Sequence, residues 1–379
     1  MLVPLADSTS WSPALPPFLL ASVVCMAAVP ASMVLARRVG AVAEPDHSRH
    51  IHPEPTPRLG GIALFAGFAI ALAVFGGPVE SRWQVVAVCG AITVTMAIDD
   101  ILNLPWWTKL ALEVGAGTAV AALGITISFI ALPYGHNLNL VWLAAPVTVV
   151  WLVGMQTSIN LLDGADGVAA GVVAIVAGVL LLAAINRLEP TAGVQNGVIV
   201  LSGALMGCCV GFLVFNVHPA RVFMGDSGSH FLGLALGTIT VLGVAKVAVA
   251  LSLLVPLVAL GLPIGDTAWA IYRRRRAGVS VAEPDAGHLH HRLLALGLTV
   301  RETAMAFYLT TAILGCIGLA IFGHKKVLAV AVVLLTFALV ALLYRNQRRP
   351  METPHDDDYV ILPGRAAVPT RARHGGEAD

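Results

Sequence analysis

The chain has 379 residues, of which 57% are hydrophobic and 12% charged, with a net charge of +1 at pH 7 and a mean hydropathy of +0.83. Soluble domains carry about 25% charged residues, so this composition excludes an ordinary soluble globular protein. The near-zero charge leaves no electrostatic footprint for nucleic acid. Continuous rather than alternating apolar runs argue against a transmembrane barrel. All five cysteines (Cys25, Cys89, Cys208, Cys209 and Cys316) lie inside those runs and read as small packing residues, with no disulfide framework implied. No basic region precedes the first apolar run, so no cleavable signal peptide is expected.

Taken in chain order, runs long enough to cross a bilayer start near Ala14, Leu59, Trp83, Leu110, Leu138, Gly167, Gly193, Gly228, Val247, Thr303 and Val327. They predict an all-α, polytopic integral membrane protein with about eleven transmembrane helices. The run from Trp83 to Ile98 is short, and Glu113 and Asp266 interrupt two others. Ionisable groups inside a span need a partner or a polar cavity, but neither is assigned a role from sequence. After Tyr344 the composition turns to Arg, Asp, Pro and Gly. The expected organisation is a membrane domain over residues 1–344 and a disordered polar tail over 345–379. No internal repeat is visible, which weighs against an inverted-repeat transporter.

An odd number of spans puts the two termini on opposite sides. Of the 23 basic residues, 18 fall in segments on the C-terminal side, including Arg37, Arg38, Arg58, Lys109, Arg221 and Arg273–Arg276. By the positive-inside rule that side is cytoplasmic. Lys325 and Lys326 fall on the other side, against the rule. All the polar motifs share the basic side, so the expected active site faces the cytoplasm.

Asp99-Asp100 ends a span. Adjacent carboxylates could supply a proton acceptor, could face a cation, or could be a solvated helix end. Asn160-Leu161-Leu162-Asp163-Gly164-Ala165-Asp166-Gly167 joins two spans; Asn160 and Asp163 share a helix face, and the glycines let backbone approach a ligand. An Asx/Gly turn with capping explains the same residues. In Phe223-Met224-Gly225-Asp226-Ser227-Gly228-Ser229, Asp226 could bind Mg²⁺ or could cap the following helix. His288-Leu289-His290-His291-Arg292 could bind pyrophosphate oxygens, with a zinc site as the weaker reading. Arg273–Arg276 reads as a positive-inside anchor, and Lys109, after Trp106-Trp107-Thr108, as an interfacial anchor.

These motifs, together with Pro55-Thr56-Pro57-Arg58-Leu59-Gly60-Gly61 ahead of them, occur in an order that resembles the polyprenyl-phosphate N-acetylhexosamine-1-phosphate transferase superfamily (glycosyltransferase family 4), over roughly residues 35–300. The resemblance implies an eleven-helix enzyme that moves a sugar-1-phosphate from a UDP-sugar to a polyprenyl phosphate and releases UMP. It implies Mg²⁺ as cofactor, with Mn²⁺ as a substitute. Pro57-Arg58 and His288-Leu289-His290-His291 look like the bacterial branch that uses UDP-GlcNAc and undecaprenyl or decaprenyl phosphate. The branch using UDP-MurNAc-pentapeptide usually has PTMGG and an HHHxE-like segment, which this chain lacks. Where many relatives have lysine before the PTP segment, this chain has Pro53-Glu54, with Arg49, His50, His52 and Arg58 as nearby basic groups.

Carried over motif by motif, the resemblance makes Asp226 and Asn160 a magnesium-binding pair. Asp99 becomes the candidate base for the lipid phosphate and Asp100 its electrostatic partner. Asp166 and Phe223 match uracil-binding positions, Gly225 and Asp163 belong to substrate-binding segments, and Lys109, His288, His290, His291 and Arg292 match pyrophosphate or sugar contacts. Direct attack by the lipid phosphate is favoured over a phospho-aspartate route. Expected partners are the UDP-sugar, the polyprenyl phosphate, the lipid bilayer and a second copy of the chain as a homodimer, with no nucleic acid. The expected location is the bacterial plasma membrane, with active site and C-terminus cytoplasmic. The UDP-MurNAc-pentapeptide reaction is the alternative within the superfamily. An ion-coupled transporter is the alternative from another class; it would need carboxylates at mid-membrane.

Overall fold

The computed structural model describes residues 12–43, 55–131, 137–185, 192–245 and 298–321, with a few isolated positions beyond. Nine helices make up most of this: α1 (Leu15–Val39), α2 (Gly60–Phe75), α3 (Arg82–Leu102), α4 (Trp106–Ala122), α5 (Ala144–Leu162), α6 (Val168–Ile185), α7 (Ala192–Asn216), α8 (Gly225–Ala245) and α9 (Val300–Ile321). They coincide with nine of the apolar runs. The runs expected from Val247 and Val327 lie outside the described residues, as do residues 277–297 with the histidine motif.

Five helical stretches are long and apolar enough to cross a membrane: Ser12–Val39, Arg82–Leu102, Val141–Leu162, Val168–Ile185 and Asn196–Asn216. The run from Trp83, which looked short, is a helix of 21 residues. At 1.5 Å per residue it is about 31 Å long, the thickness of a hydrocarbon core. The fifth run starts later than its sequence suggests. Leu138 belongs to a small hairpin in which β3 (Phe129–Ala131) pairs antiparallel with β4 (Asn137–Asn139), and α5 begins only at Ala144. A second pair, β1 (Val42–Ala43) with β2 (Thr56–Pro57), ties the end of α1 to the start of α2.

Helix α8 is the axis of the bundle. Every residue from Ser227 to Val241 is buried, and α8 packs against α2, α3, α5 and α7. Phe231 on α8 meets Phe65 and Phe68 of α2 edge-on, with ring centroids 5.8 and 5.5 Å apart. A helix enclosed by other helices can carry polar side chains that lipid would not accept, because its neighbours can hydrogen-bond them. This is the position of the Asp226 motif.

Local sequence determines which helix ends meet. Asn103, in the left-handed region at φ 50°, closes α3; Pro105 then opens α4. The link is so short that the last turn of α3, with Asp99 and Asp100, stands beside the first turn of α4, with Lys109. Gly167 and Gly225, at φ 76° and 69°, make the corresponding turns before α6 and α8.

Candidate active site

The C-terminal ends of α3, α5 and α7 and the N-terminal ends of α2, α4, α6 and α8 meet at one end of the bundle. The first backbone donors of α2 are capped from the segment before α8: Gly60 N–H donates to the Phe223 carbonyl (3.0 Å) and Gly61 N–H to that of Met224 (2.9 Å). Phe223 N–H donates to the Pro57 carbonyl (2.8 Å). The PTP segment and the Asp226 motif thus form one unit, although well over a hundred residues separate them.

Asp99 and Asp100 are only 2% and 3% exposed, which removes the solvated-helix-end interpretation. They point to different tasks. Asp99 Oδ2 lies 2.6 Å from Lys109 Nζ, and the same ammonium lies 2.5 Å from Asp226 Oδ2. Asp99 also accepts the Leu104 N–H (2.7 Å), bracing the α3–α4 link. Asp100 turns to α8, where its carboxylate accepts the backbone N–H groups of Asp226 (2.8 Å) and Ser227 (3.1 Å). A carboxylate at a helix N-terminus satisfies orphan donors and complements the positive end of the dipole. Asp226 therefore does not cap its own helix; Asp100 caps it from α3. Gly225 is required there, because a Cβ would run into the Asp100 carboxylate and the Arg58 carbonyl. The Arg58 guanidinium lies 4.0 Å from Asp100.

Asn160 reaches the same place from α5, donating through Nδ2 to Asp226 Oδ1 (3.1 Å). Asp163, at the end of α5, is half-buried. Burial and the nearby carboxylates of Asp226, Asp100 and Asp166 push its carboxyl well above the usual range, while Arg58 pulls it down. Asp166 braces the α7–α8 loop: its carboxylate lies 2.7 Å from His218 Nδ1 and accepts the Ala220 N–H (3.1 Å). Phe223 is half-buried at the same end.

The structure thus brings together Asp99, Asp100, Lys109, Asn160, Asp163, Asp166, Phe223, Gly225 and Asp226. His288, His290, His291 and Arg292 lie outside the described residues. Two buried residues escaped sequence reasoning: Glu113 received no role, and His230 was not singled out. His230 Nε2 lies 2.8 Å from Glu113 Oε1. The available signal was spacing, since each stands four residues, one helical turn, after a site residue (Lys109 and Asp226).

Comparison with known proteins adds to this geometry. Residues 83–244 match the family described as Glycosyl transferase family 4. A Bacillus subtilis protein named "Probable undecaprenyl-phosphate N-acetylglucosaminyl 1-phosphate transferase" is 35% identical over 277 residues, 73% of this chain and 75% of its own. The decaprenyl-phosphate N-acetylglucosaminephosphotransferase of Mycolicibacterium smegmatis is 35% identical over 343 residues, 83% of this chain and 84% of its own. A phospho-N-acetylmuramoyl-pentapeptide-transferase of Synechococcus is 36% identical over 280 residues, 70% and 78% of the two chains.

Proposed function

We propose a function that proceeds from one premise: the chain belongs to glycosyl transferase family 4. It is a multi-pass membrane protein and a transferase. Its reaction, in our proposal, moves GlcNAc-1-phosphate from UDP-GlcNAc to a polyprenyl phosphate, yielding polyprenyl-pyrophosphoryl-GlcNAc and UMP. Relatives named for GlcNAc-1-phosphate transfer, matching over most of this chain, support that substrate pair. One observation carries the chemistry: a lysine ammonium held between two buried or half-buried carboxylates, Asp99 and Asp226, at a junction of helix ends.

Charge supports a divalent cation as cofactor. Apart from Asp166 and Glu113, which face histidines, the cleft gathers the carboxylates of Asp99, Asp100, Asp163 and Asp226 around the cationic Lys109 and Arg58. The formal excess of two negative charges suits one Mg²⁺, and carboxylate and amide oxygens are the hard ligands it takes. Asp226 and Asn160 would hold it, and Mn²⁺ would substitute. When bound, it would neutralise pyrophosphate charge and stabilise the leaving phosphate. Lys109 adds fixed positive charge where phosphates meet, and phosphoryl transfer depends mostly on such positioning and charge stabilisation. Asp99 orients the lipid phosphate and accepts its proton; attack on the sugar-linked phosphorus is then direct. Asp100 acts through α8 and is a positioning residue.

The nucleotide sugar comes from the cytosol, so the junction faces the cytoplasm in this proposal. The clustering of 18 of the 23 basic residues on that side supports the orientation, with eleven spans in all and the C-terminus inside a bacterial plasma membrane. The test is a purified-protein assay with radiolabelled UDP-GlcNAc, decaprenyl phosphate and Mg²⁺, run beside UDP-MurNAc-pentapeptide and other donors. UMP and lipid-linked GlcNAc are the expected products. Transfer from UDP-MurNAc-pentapeptide alone would move the chain to the other branch, and no transfer from any donor would refute the proposal.

A further inference from the structure

A chain of buried polar side chains runs sideways from Asp226 beneath the cleft, and no step above uses it. His230 is 1% exposed and Glu113 5%. His230 Nδ1 donates to the Asp226 carbonyl (2.8 Å), because a carbonyl can only accept. The same edge of the ring lies 3.3 Å from Asn160 Nδ2. On the far edge Nε2 meets Glu113 Oε1 at 2.8 Å, and Glu113 Oε2 accepts from the Thr157 hydroxyl at 3.0 Å. With Nδ1 carrying hydrogen, Nε2 and Glu113 share one further proton, as imidazolium with carboxylate or imidazole with carboxylic acid. Either form makes the same contact.

Three helices meet in this chain: Glu113 comes from α4, Thr157 from α5 and His230 from α8. The two residues assigned to the cation, Asp226 and Asn160, both touch the His230 ring. The arrangement repeats a general feature of cation sites, in which ligands are held by hydrogen-bonded neighbours whose loss weakens metal affinity or activity about 10–100-fold.

We propose that Glu113, His230 and Thr157 form a positioning unit that locks α4, α5 and α8 together and holds Asp226 and Asn160 in register for a divalent cation. The proposal rests on the metal assignment made under the proposed function, and Mn²⁺ binding tests it apart from catalysis. Full-length protein in detergent is titrated with Mn²⁺, followed by electron paramagnetic resonance, with melting temperature measured in parallel. His230→Leu and Glu113→Leu should each weaken Mn²⁺ binding about 10–100-fold. The double variant should be no weaker than either single one, because the two act as a unit. Glu113→Gln should keep wild-type affinity, since its amide can donate to His230 Nε2 while its oxygen accepts from Thr157. Thr157→Val, which keeps the side-chain shape and loses only the donor, should weaken binding less than the leucine variants. It carries the test if those fail to fold.

Wild-type Mn²⁺ affinity in folded leucine variants or in Thr157→Val, additive losses in the double variant, or a glutamine loss as large as the leucine loss would each overturn the unit. Wild-type protein that fails to bind Mn²⁺ would overturn it too. Wild-type protein that binds Mn²⁺ but transfers no sugar phosphate would refute the transferase function, with the unit still decided by the Mn²⁺ titrations.

Discussion

Lys109 is the residue on which the cleft turns. Its ammonium is the countercharge that Asp99 and Asp226 share, so Lys109→Met leaves two facing carboxylates without it. Removal of one preorganised electrostatic donor typically lowers turnover about 10²–10³-fold, and that loss is expected in initial rates with UDP-GlcNAc. The two carboxylates should then separate by function. Asp226→Asn should weaken Mg²⁺-dependent UDP-GlcNAc binding measured by calorimetry. Asp99→Asn should preserve that binding while turnover falls, by about 10²–10⁴-fold if proton acceptance dominates. The opposite pattern would exchange the two assignments. Asp100, though adjacent to Asp99, belongs to a different calculation: its carboxylate receives two backbone N–H groups of α8. Hydrogen bonds to a charged group contribute about 1.5–3 kcal/mol each, so Asp100→Ala should act on stability as well as on rate.

Among the helices, the contact between α2 and α8 decides how closely the PTP segment approaches the Asp226 motif. Gly61 packs directly on the backbone of Ser227 and Gly228, where no Cβ fits without movement. The alanine in Gly61→Ala would push the two helix ends apart and disturb the bonds that join Gly60 and Gly61 to Phe223 and Met224. Overpacking of this kind typically destabilises by about 1–3 kcal/mol. Gly154→Ala, on α5, is the control, since a Cβ there meets nothing within 4 Å. Unfolding of both variants in detergent should show a loss for Gly61→Ala and none for Gly154→Ala. Equal stability would mean that the α2–α8 approach is slack.

For the molecule as a whole, the antiparallel course of α3 to α8 sends the motifs to one end and the β3–β4 hairpin to the other. Intact cells can test which end faces the cytoplasm. Four of the five native cysteines are buried, so background labelling should be low. A cysteine in place of exposed Gly164, next to Asp163, should react with an impermeant maleimide only after the membrane is opened. One in place of exposed Leu138, on the hairpin, should react from outside. The reverse pattern would invert the orientation and with it the cytosolic donor. Deletion after Pro350 should leave turnover unchanged, because this polar tail follows the last motif.

Composition and runs of apolar residues were enough to make the chain a helical membrane protein, since a bilayer admits continuous apolar helices and little else of this composition. The ordered motifs were enough for the family, and loop parity brought Asp99, Asn160 and Asp226 to one face before any coordinates. Spacing along the chain could not say what each side chain does there. Asp99 and Asp100 are neighbours in sequence, yet one meets Lys109 and the other caps α8, because successive residues on a helix point about 100° apart toward different neighbours. Glu113 and His230 look in sequence like stray polar residues in apolar helices; packing of α4 against α5 and α8 makes them a matched pair. The late start of α5 was also a tertiary outcome, since Leu138 pairs with Ile130 across a hairpin rather than continuing an apolar helix. Burial pattern and helix register are local and can be read along the chain, whereas the partner of a buried charge depends on which helices touch, and that is decided only when they pack.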